Sequence, residues 1–397
     1  MYQNVFERIE RYCSVNSPII SVIVISWRLH KDTLKSFKIL ESQRKHNFEL
    51  IFVDNGGNEG EFTELKPYID TYIKLNTNTG AYLARNIGAV FANAPILFFL
   101  EDDGIPDPDL IESHIVAYRN FNVIAVGGAY LPKTDSPYNK RQLHYYKGNS
   151  FFPSYSNLEG NSSYLSEPFF KTGGWDDKII FGGGGLDLAI RLLSIEPNMM
   201  KQIYSPASII YHDYVKDEAH FESKRKKQQS SLLRLREKHS KWDEYIERWN
   251  SCYSREDLVI KREETLHEYH TIARRVTGRN SSKISLMNRG VVSRYDQKRI
   301  EEYKIIGKSF DTRVIFGAGA YGKRVFEQLT KHSIEINFFT DNNSERWGEE
   351  LEGVGILAPS QILDSSFIFI ASDWHYEIAE QLEKAGLYKG THFIIVK

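Results

Sequence analysis

The chain has 397 residues, 41% of them hydrophobic, and a formal net charge of −1. That length suits two or three domains with packed cores, and the balanced charge leaves no global footprint for nucleic acid. No stretch approaches the roughly 20 apolar residues that span a bilayer, and the opening Met1-Tyr-Gln-Asn-Val-Phe-Glu-Arg-Ile-Glu lacks the apolar core of a signal peptide.

Ile19–Trp27, rich in β-branched residues, predicts a first buried strand, and Thr33–Arg44 has helical periodicity. Phe48–Val53 predicts a second strand, closed by the turn Asp54-Asn55-Gly56-Gly57. Tyr72–Leu75 reads as a short third strand, Ala81–Ala92 as a helix, Ile96–Leu100 as a fourth strand and Asp109–Arg119 as a further helix. Strands alternating with helices imply βαβ units, hence an α/β fold with a mainly parallel sheet flanked by helices. Right-handed crossovers bring the strand ends to one edge, so Asp54 and the acids after Leu100 are expected near each other. Residues 130–170, rich in Tyr, Ser, Asn and Pro, are expected to be irregular, and the Tyr-rich part at 138–164 could shape an acceptor pocket. Glycines 182–185 suit a loop that closes over a ligand and precede a helix starting near Leu186. Ser208–Tyr211 is a short strand ending at His212-Asp213.

From about Val215 to Lys308 the chain is highly charged and reads as a helical connecting arm. Its run Lys224-Arg225-Lys226-Lys227 is taken as a solvated helix face, the alternative being contact with an anionic membrane surface. Arg313–Phe316 opens a separate small α/β domain, with further strands at Glu335–Thr340, Phe367–Ala371 and Phe393–Val396. The expected domains are therefore 1–215, 216–308 and 309–397. Cys13 and Cys252 match no zinc spacing, so a reducing, cytoplasmic setting is expected, with contact at the inner face of the cell membrane left open.

Glu101-Asp102-Asp103 follow an apolar run that suits a strand buried on both faces. Such acids sit at the carboxyl edge, where open α/β sheets bind ligands, and clustered oxygens there suit Mg²⁺ or Mn²⁺ neutralising a diphosphate. A solvated acidic turn is the competing reading. Three segments in order, Val53-Asp54-Asn55, then Gly80 with Ala84-Arg85-Asn86 and Gly88, then Phe99-Leu100-Glu101-Asp102-Asp103, resemble the motifs of the family 2 glycosyltransferases over about residues 19–215. The resemblance implies a GT-A type sheet and metal-dependent, inverting transfer from a nucleotide-sugar donor. It also implies a glycan or lipid-linked acceptor and a setting in bacterial surface polysaccharide synthesis. Asp103 is then the direct metal ligand, with Glu101 or Asp102 on ribose or metal-bound water. Asp54, helped by Asn55, would take hydrogen bonds from base or ribose. Arg85 either neutralises phosphate or pairs with Asp54, a purely structural ion pair being the alternative. His212 resembles the histidine that completes the metal or diphosphate site, a structural histidine being the alternative, and Asp213 is a weaker candidate.

Inverting transfer needs a carboxylate base, which the family supplies from a Glu-Asp pair just before an Asp-Leu-x-x-Arg helix. Asp187-Leu188-Ala-Ile-Arg191 keeps the helix start, but the pair aligns with Gly184-Gly185. Asp187 could substitute, unless it only caps its helix. Asp177 could also, because some relatives that build galactofuranose polymers use a Trp-Asp-Asp sequence catalytically. Asp176 is the third candidate, its alternative being a structural turn. Without a base, the domain would be a sugar-nucleotide-binding scaffold.

In the C-terminal domain, Gly317-Ala-Gly319-Ala-Tyr-Gly322 after a strand, with Asp341 further on, has the context of a dinucleotide-binding turn. The segment resembles the small Rossmann-like domains appended to sugar-modifying enzymes, which implies a nucleotide-binding or assembly module. An NAD(P)-dependent oxidoreductase is the rival, although no Tyr-x-x-x-Lys motif is present there.

Overall fold

The structure, a computed structural model, describes residues 5–136, 146–149, 151–156, 158–179, 182–213, 215–250, 252, 266–288 and 310–396. The chain divides into two compact units that meet in sequence at residues 283 and 284.

The first unit is built on a ten-stranded sheet. Its strands are β1 (Phe6–Arg11), β2 (Ile20–Ser26), β3 (Phe48–Asp54), β4 (Thr71–Leu75), β5 (Ile96–Leu100), β6 (Ile105–Pro106), β7 (Ala125–Leu131), β8 (Phe152–Pro153), β9 (Asn161–Leu165) and β10 (Gln202–Tyr211). They run in the order β1-β4-β3-β2-β5-β9-β7-β10-β6, with β8 also on β10. The block β4-β3-β2-β5 is parallel, as is β7-β10, while β1, β6, β8 and β9 pair antiparallel. The expected mainly parallel α/β sheet flanked by helices is thus present.

Strand alternation puts two apolar faces on this sheet. Ile23, Ile51, Val53 and Ile73 pack under helix α2 (Ala81–Val90) with Phe99 and Trp175. On the other face Phe52 meets Phe37 of helix α1 (Thr33–Glu41) edge to face at 5.8 Å, and Phe62 at 5.1 Å. Such ring pairs contribute about 0.5–1.5 kcal/mol beyond their burial. Helix α3 (Leu110–Asn120) packs on β10.

The expectation of irregular structure over 130–170 needs correction. β9 and helix α4 (Ser166–Lys171) lie inside it. The β9 sequence Asn161-Ser-Ser-Tyr-Leu lacks apolar alternation, and its polar side chains are buried because His114 and backbone carbonyls take their hydrogen bonds. β1 and β7 were likewise not anticipated, and β10 is longer than the expected Ser208–Tyr211. Part of the Tyr-rich stretch, including residues 138–145, lies outside the described residues.

Helix α5 (Gly184–Leu192) follows the glycine run, and helices α6 (Glu218–Lys238), α7 (Trp242–Asn250) and α8 (Leu266–Arg279) follow β10. All four belong to the first unit. Cys13 and Cys252 are both free thiols.

The second unit carries a six-stranded sheet. Parallel strands Phe338–Thr340, Thr312–Phe316, Ser366–Ile370 and Phe393–Ile395 lie side by side, with Val354–Leu357 and Glu350–Leu351 extending one edge. Helix Ala320–Lys331 contributes Val325 and Leu329 to the core on one face, and helix His375–Lys384 contributes Ile378 and Leu382 on the other.

Candidate functional site

The first unit's acids gather where β5 and β10 end. The pairing of Ile105 with Tyr211 folds the turn after Asp103 back beside β10, and the His212 N–H donates to Leu131 O at 2.9 Å. As a result His212 Nε2 lies 3.1 Å from Asp103 Oδ1. Glu101, Asp103 and His212 each offer a ligand atom, all within 4.8 Å of one another. His212 Nδ1 is buried and unpartnered. Two carboxylates and an imidazole form a donor set that fits Mn²⁺ or Mg²⁺.

Burial pushes the Glu101 carboxyl upward against the pull of Arg85. Burial acts in the same direction on Asp103, but the hydrogen bond and charge of His212 outweigh it and hold that carboxyl below its usual range. Asp102 lies 3.7 Å from His30 and is pushed up to about 7, chiefly by burial. The Glu101 N–H donates to Gly160 O at 2.8 Å, and a Cβ at Gly160 would collide with the Glu101 carboxylate. A larger residue at that point would have to push the Glu101 carboxylate from its place.

Arg85 of α2 is buried and reaches Glu101 Oε2 and Glu159 Oε2, both at 3.4 Å. Its carboxylate partners are thus Glu101 and Glu159 rather than Asp54, the partner considered from sequence. The neighbouring Asn86 clamps Trp175, accepting from its N–H and donating to its carbonyl, both at 2.8 Å. Trp175 is a core residue, 2% exposed, packed on Tyr82 and Phe99.

Asp54 and Asn55 sit at the end of β3 but are already engaged. Asp54 accepts from Gly57 N (2.7 Å), Tyr72 Oη (2.6 Å) and Lys74 Nζ (2.8 Å), and is fully buried. Asn55 accepts from the Thr79 N–H and hydroxyl, and its amide donates to Asn78 and Gly80. Asn55 thus shapes the 76–80 loop, while Asp54 ties the Gly57 turn to β4. Asp213 is spent on the backbone of Lys133 and Thr134.

The carboxylates considered for a base differ sharply. Asp187 is fully buried and bound by Arg191 (2.8 Å), Lys238 (2.6 Å) and His239 (2.8 Å). Burial alone would raise its proton affinity, but His239, Arg191 and Lys238 together hold it far below the ordinary carboxylate range. Asp176 accepts from Lys238 at 2.5 Å. Asp177 is exposed.

Sequence reasoning missed two groups here. Lys224 of α6 is close enough to Glu101 and Asp103 for their charges to oppose the effect of burial, which lowers its ammonium to about 8. The basic run 224–227 was read as a uniformly solvated face, and nothing in its composition marks one lysine as turned inward. Glu159 lies in a segment without periodicity and carries no motif.

In the second unit, Gly317, Gly319 and Gly322 form the turn between the first strand and its helix. Asp341 Oδ2 accepts from Ala318 N and Oδ1 from Asn343 N, both at 2.9 Å. Its carboxylate therefore ties the glycine turn to the end of the adjacent strand.

Comparison with known proteins agrees with the motif order. Residues 21–175 match the family model Glycosyl transferase family 2, and residues 310–391 match C2185-like, N-terminal. Glycosyltransferase AglE of Haloferax volcanii is 28% identical over 118 residues, covering 28% of this chain and 39% of that protein. An uncharacterized glycosyltransferase of Haemophilus influenzae is 33% identical over 107 residues, covering 26% of this chain and 36% of that protein. YfnE of Bacillus subtilis, an uncharacterized glycosyltransferase, is 30% identical over 128 residues, covering 30% of this chain and 32% of that protein. The chain thus spans less than two-fifths of the length of each of these relatives. Among solved structures, the mannosyltransferase PcManGT from Pyrobaculum calidifontis in complex with GDP-Man and Mn²⁺ is 12% identical at a TM-score of 0.42, covering 69% of this chain and 79% of that one. Among the described residues no helix is long and apolar enough to cross a membrane.

Proposed function

We propose that the chain is a metal-dependent glycosyltransferase of GT-A type, moving a sugar from a nucleotide donor to a glycan or lipid-linked acceptor with inversion. The observation that carries this reading is the meeting of Glu101, Asp103 and His212 at the carboxyl edge of the sheet, beside the cations Arg85 and Lys224. Glu101, Asp103 and His212 would hold Mn²⁺ or Mg²⁺, which when bound would supply Lewis-acid neutralisation of a diphosphate. Lys224 and Arg85 add fixed positive charge where the leaving group gains negative charge. Asp102, beside His30, faces the ribose. Asp54 at the end of β3, and Asn55 through its bonds to the 76–80 loop, hold the sheet edge that takes the base or ribose.

The C-terminal unit, in this reading, is a Rossmann-like module that binds a nucleotide or nucleotide-sugar at the Gly317–Gly322 turn. The setting is cytoplasmic polysaccharide synthesis.

Calorimetry with UDP-, GDP- and dTDP-sugars, with and without Mn²⁺, tests the assignment. One donor is expected to bind only with metal, and Asp103→Ala is expected to abolish that binding. No binding of any donor to the wild type overturns the reading. Binding without turnover favours the scaffold.

A further inference from the structure

The family pattern places a Glu-Asp pair at the positions of Gly184 and Gly185, and the structure shows what fills the space those side chains would need. A Cβ at Gly184 would collide with the Tyr82 ring, and one at Gly185 would lie 2.6 Å from Ser156 O and 3.3 Å from Glu159 Cγ. The room beside the first turn of α5 therefore belongs to Tyr82 and to a carboxylate arriving from the segment before β9. Glu159 Oε1 accepts from Tyr82 Oη at 2.7 Å and from Gly185 N at 3.0 Å. Its Oε2 faces Arg85, which also binds Glu101 of the acidic trio.

We propose that Glu159 is the general base of the transfer, the carboxylate having moved from the start of α5 to the preceding loop. This rests on the transferase reading above. A carboxylate has about four acceptor sites, and the Tyr82, Gly185 and Arg85 contacts use three. The side chain is 19% exposed, so the remaining site is open to a ligand hydroxyl. Of the rival acids, Asp187 is fully buried and held by Arg191, Lys238 and His239, which leaves Asp176, paired with Lys238, and exposed Asp177 as the competitors. In the step, the acceptor oxygen forms a bond to the anomeric carbon and its proton passes to Glu159. The bond from that carbon to the β-phosphate oxygen breaks, and its electron pair leaves with the nucleoside diphosphate.

The test measures nucleoside diphosphate release from whichever of the UDP-, GDP- or dTDP-sugars the wild type turns over, with water or sodium azide as acceptor. Glu159→Gln is expected to slow release to water by about 10²-fold or more while donor affinity stays within about threefold. Azide, which has no proton to lose, restores release and yields the inverted glycosyl azide. Glu159→Asp, which keeps a carboxylate, recovers more activity than Gln, whereas a purely structural side chain would be better replaced by Gln. Release by Glu159→Gln near the wild-type rate, or loss in Asp177→Asn instead, overturns the proposal. A wild type that binds donors but releases no diphosphate overturns it together with the transferase reading.

Discussion

Arg85 is a useful place to judge the chemistry, because its single charge serves two carboxylates. With Glu101 and Glu159 both at 3.4 Å, neither contact is the tight bidentate pair that a purely structural arginine usually makes. Glu101, Asp102 and Asp103 follow one another at the site, beside the cations Arg85, Lys224 and Lys133, whose Nζ donates to Asp103 O at 2.9 Å. We expect Mn²⁺ at about 100 times its dissociation constant to stabilise the wild type by about 2.7 kcal/mol, read as a rise in melting temperature. Asp103→Asn should abolish that rise; a metal-induced shift retained in the variant would remove Asp103 from the ligand set. His114 gives a pH prediction at the same scale. It is fully buried against Ser163, Asn161 and the Phe98 ring, and burial lowers its pKa to about 4. The unfolded imidazole takes its proton near 6.5, so the unfolded state binds more protons between these values. Its contribution is complete above the unfolded pKa and is lost as the pH falls toward 4, on the order of 3 kcal/mol. Denaturant titrations at pH 7 and 4.5 should show the loss, and His114→Asn should reduce it.

At the scale of elements, α6 is the part least like its sequence impression. Its 21 residues are mostly polar, yet it links the acidic trio to α5. Lys224 faces Glu101 and Asp103 near one end, Leu235 packs against Leu186 and Trp242, and Lys238 with the following His239 grips Asp187. Asp187 thus pins α6 across α5. We expect Asp187→Asn to cost about 2–3 kcal/mol, below the range for a fully buried pair because Lys238 is partly open to solvent. Chemical denaturation measures this, and donor affinity should fall with it as Lys224 loses its position. Full stability with abolished transfer would instead make Asp187 the base. Lys224→Ala, by contrast, should leave stability unchanged and weaken donor binding about tenfold by calorimetry, in line with the loss of one charge-assisted contact of about 1.5 kcal/mol.

The whole molecule consists of two units with separate cores. Residues 310–396 bury apolar side chains on both faces of their own sheet, with a helix on each. A domain of this size is large enough to fold without disulfides or metal, and both faces of its sheet are covered. A fragment of residues 310–397 is therefore expected to unfold cooperatively by circular dichroism. A non-cooperative melt would show that it needs the rest of the chain.

The parallel strands at Ile20, Phe48, Thr71 and Ile96 were legible because strands buried on both faces are largely apolar, with isolated exceptions such as Glu49 and Lys74. The acids after Leu100 and the Asp341 turn were legible for a related reason: such strands end abruptly, and polar residues at the break lie at the binding edge. β9 was hidden because its buried serines depend on partners far away in sequence, His114 among them. The meeting of His212 with Asp103, the capture of Asp187 by Lys238 and His239, and the arrival of Glu159 beside Gly185 were also beyond the sequence. Local pattern reports which face of an element is apolar. Which charges face each other is decided only when the packed elements bring distant residues together, because electrostatic interaction depends on distance in space and on burial.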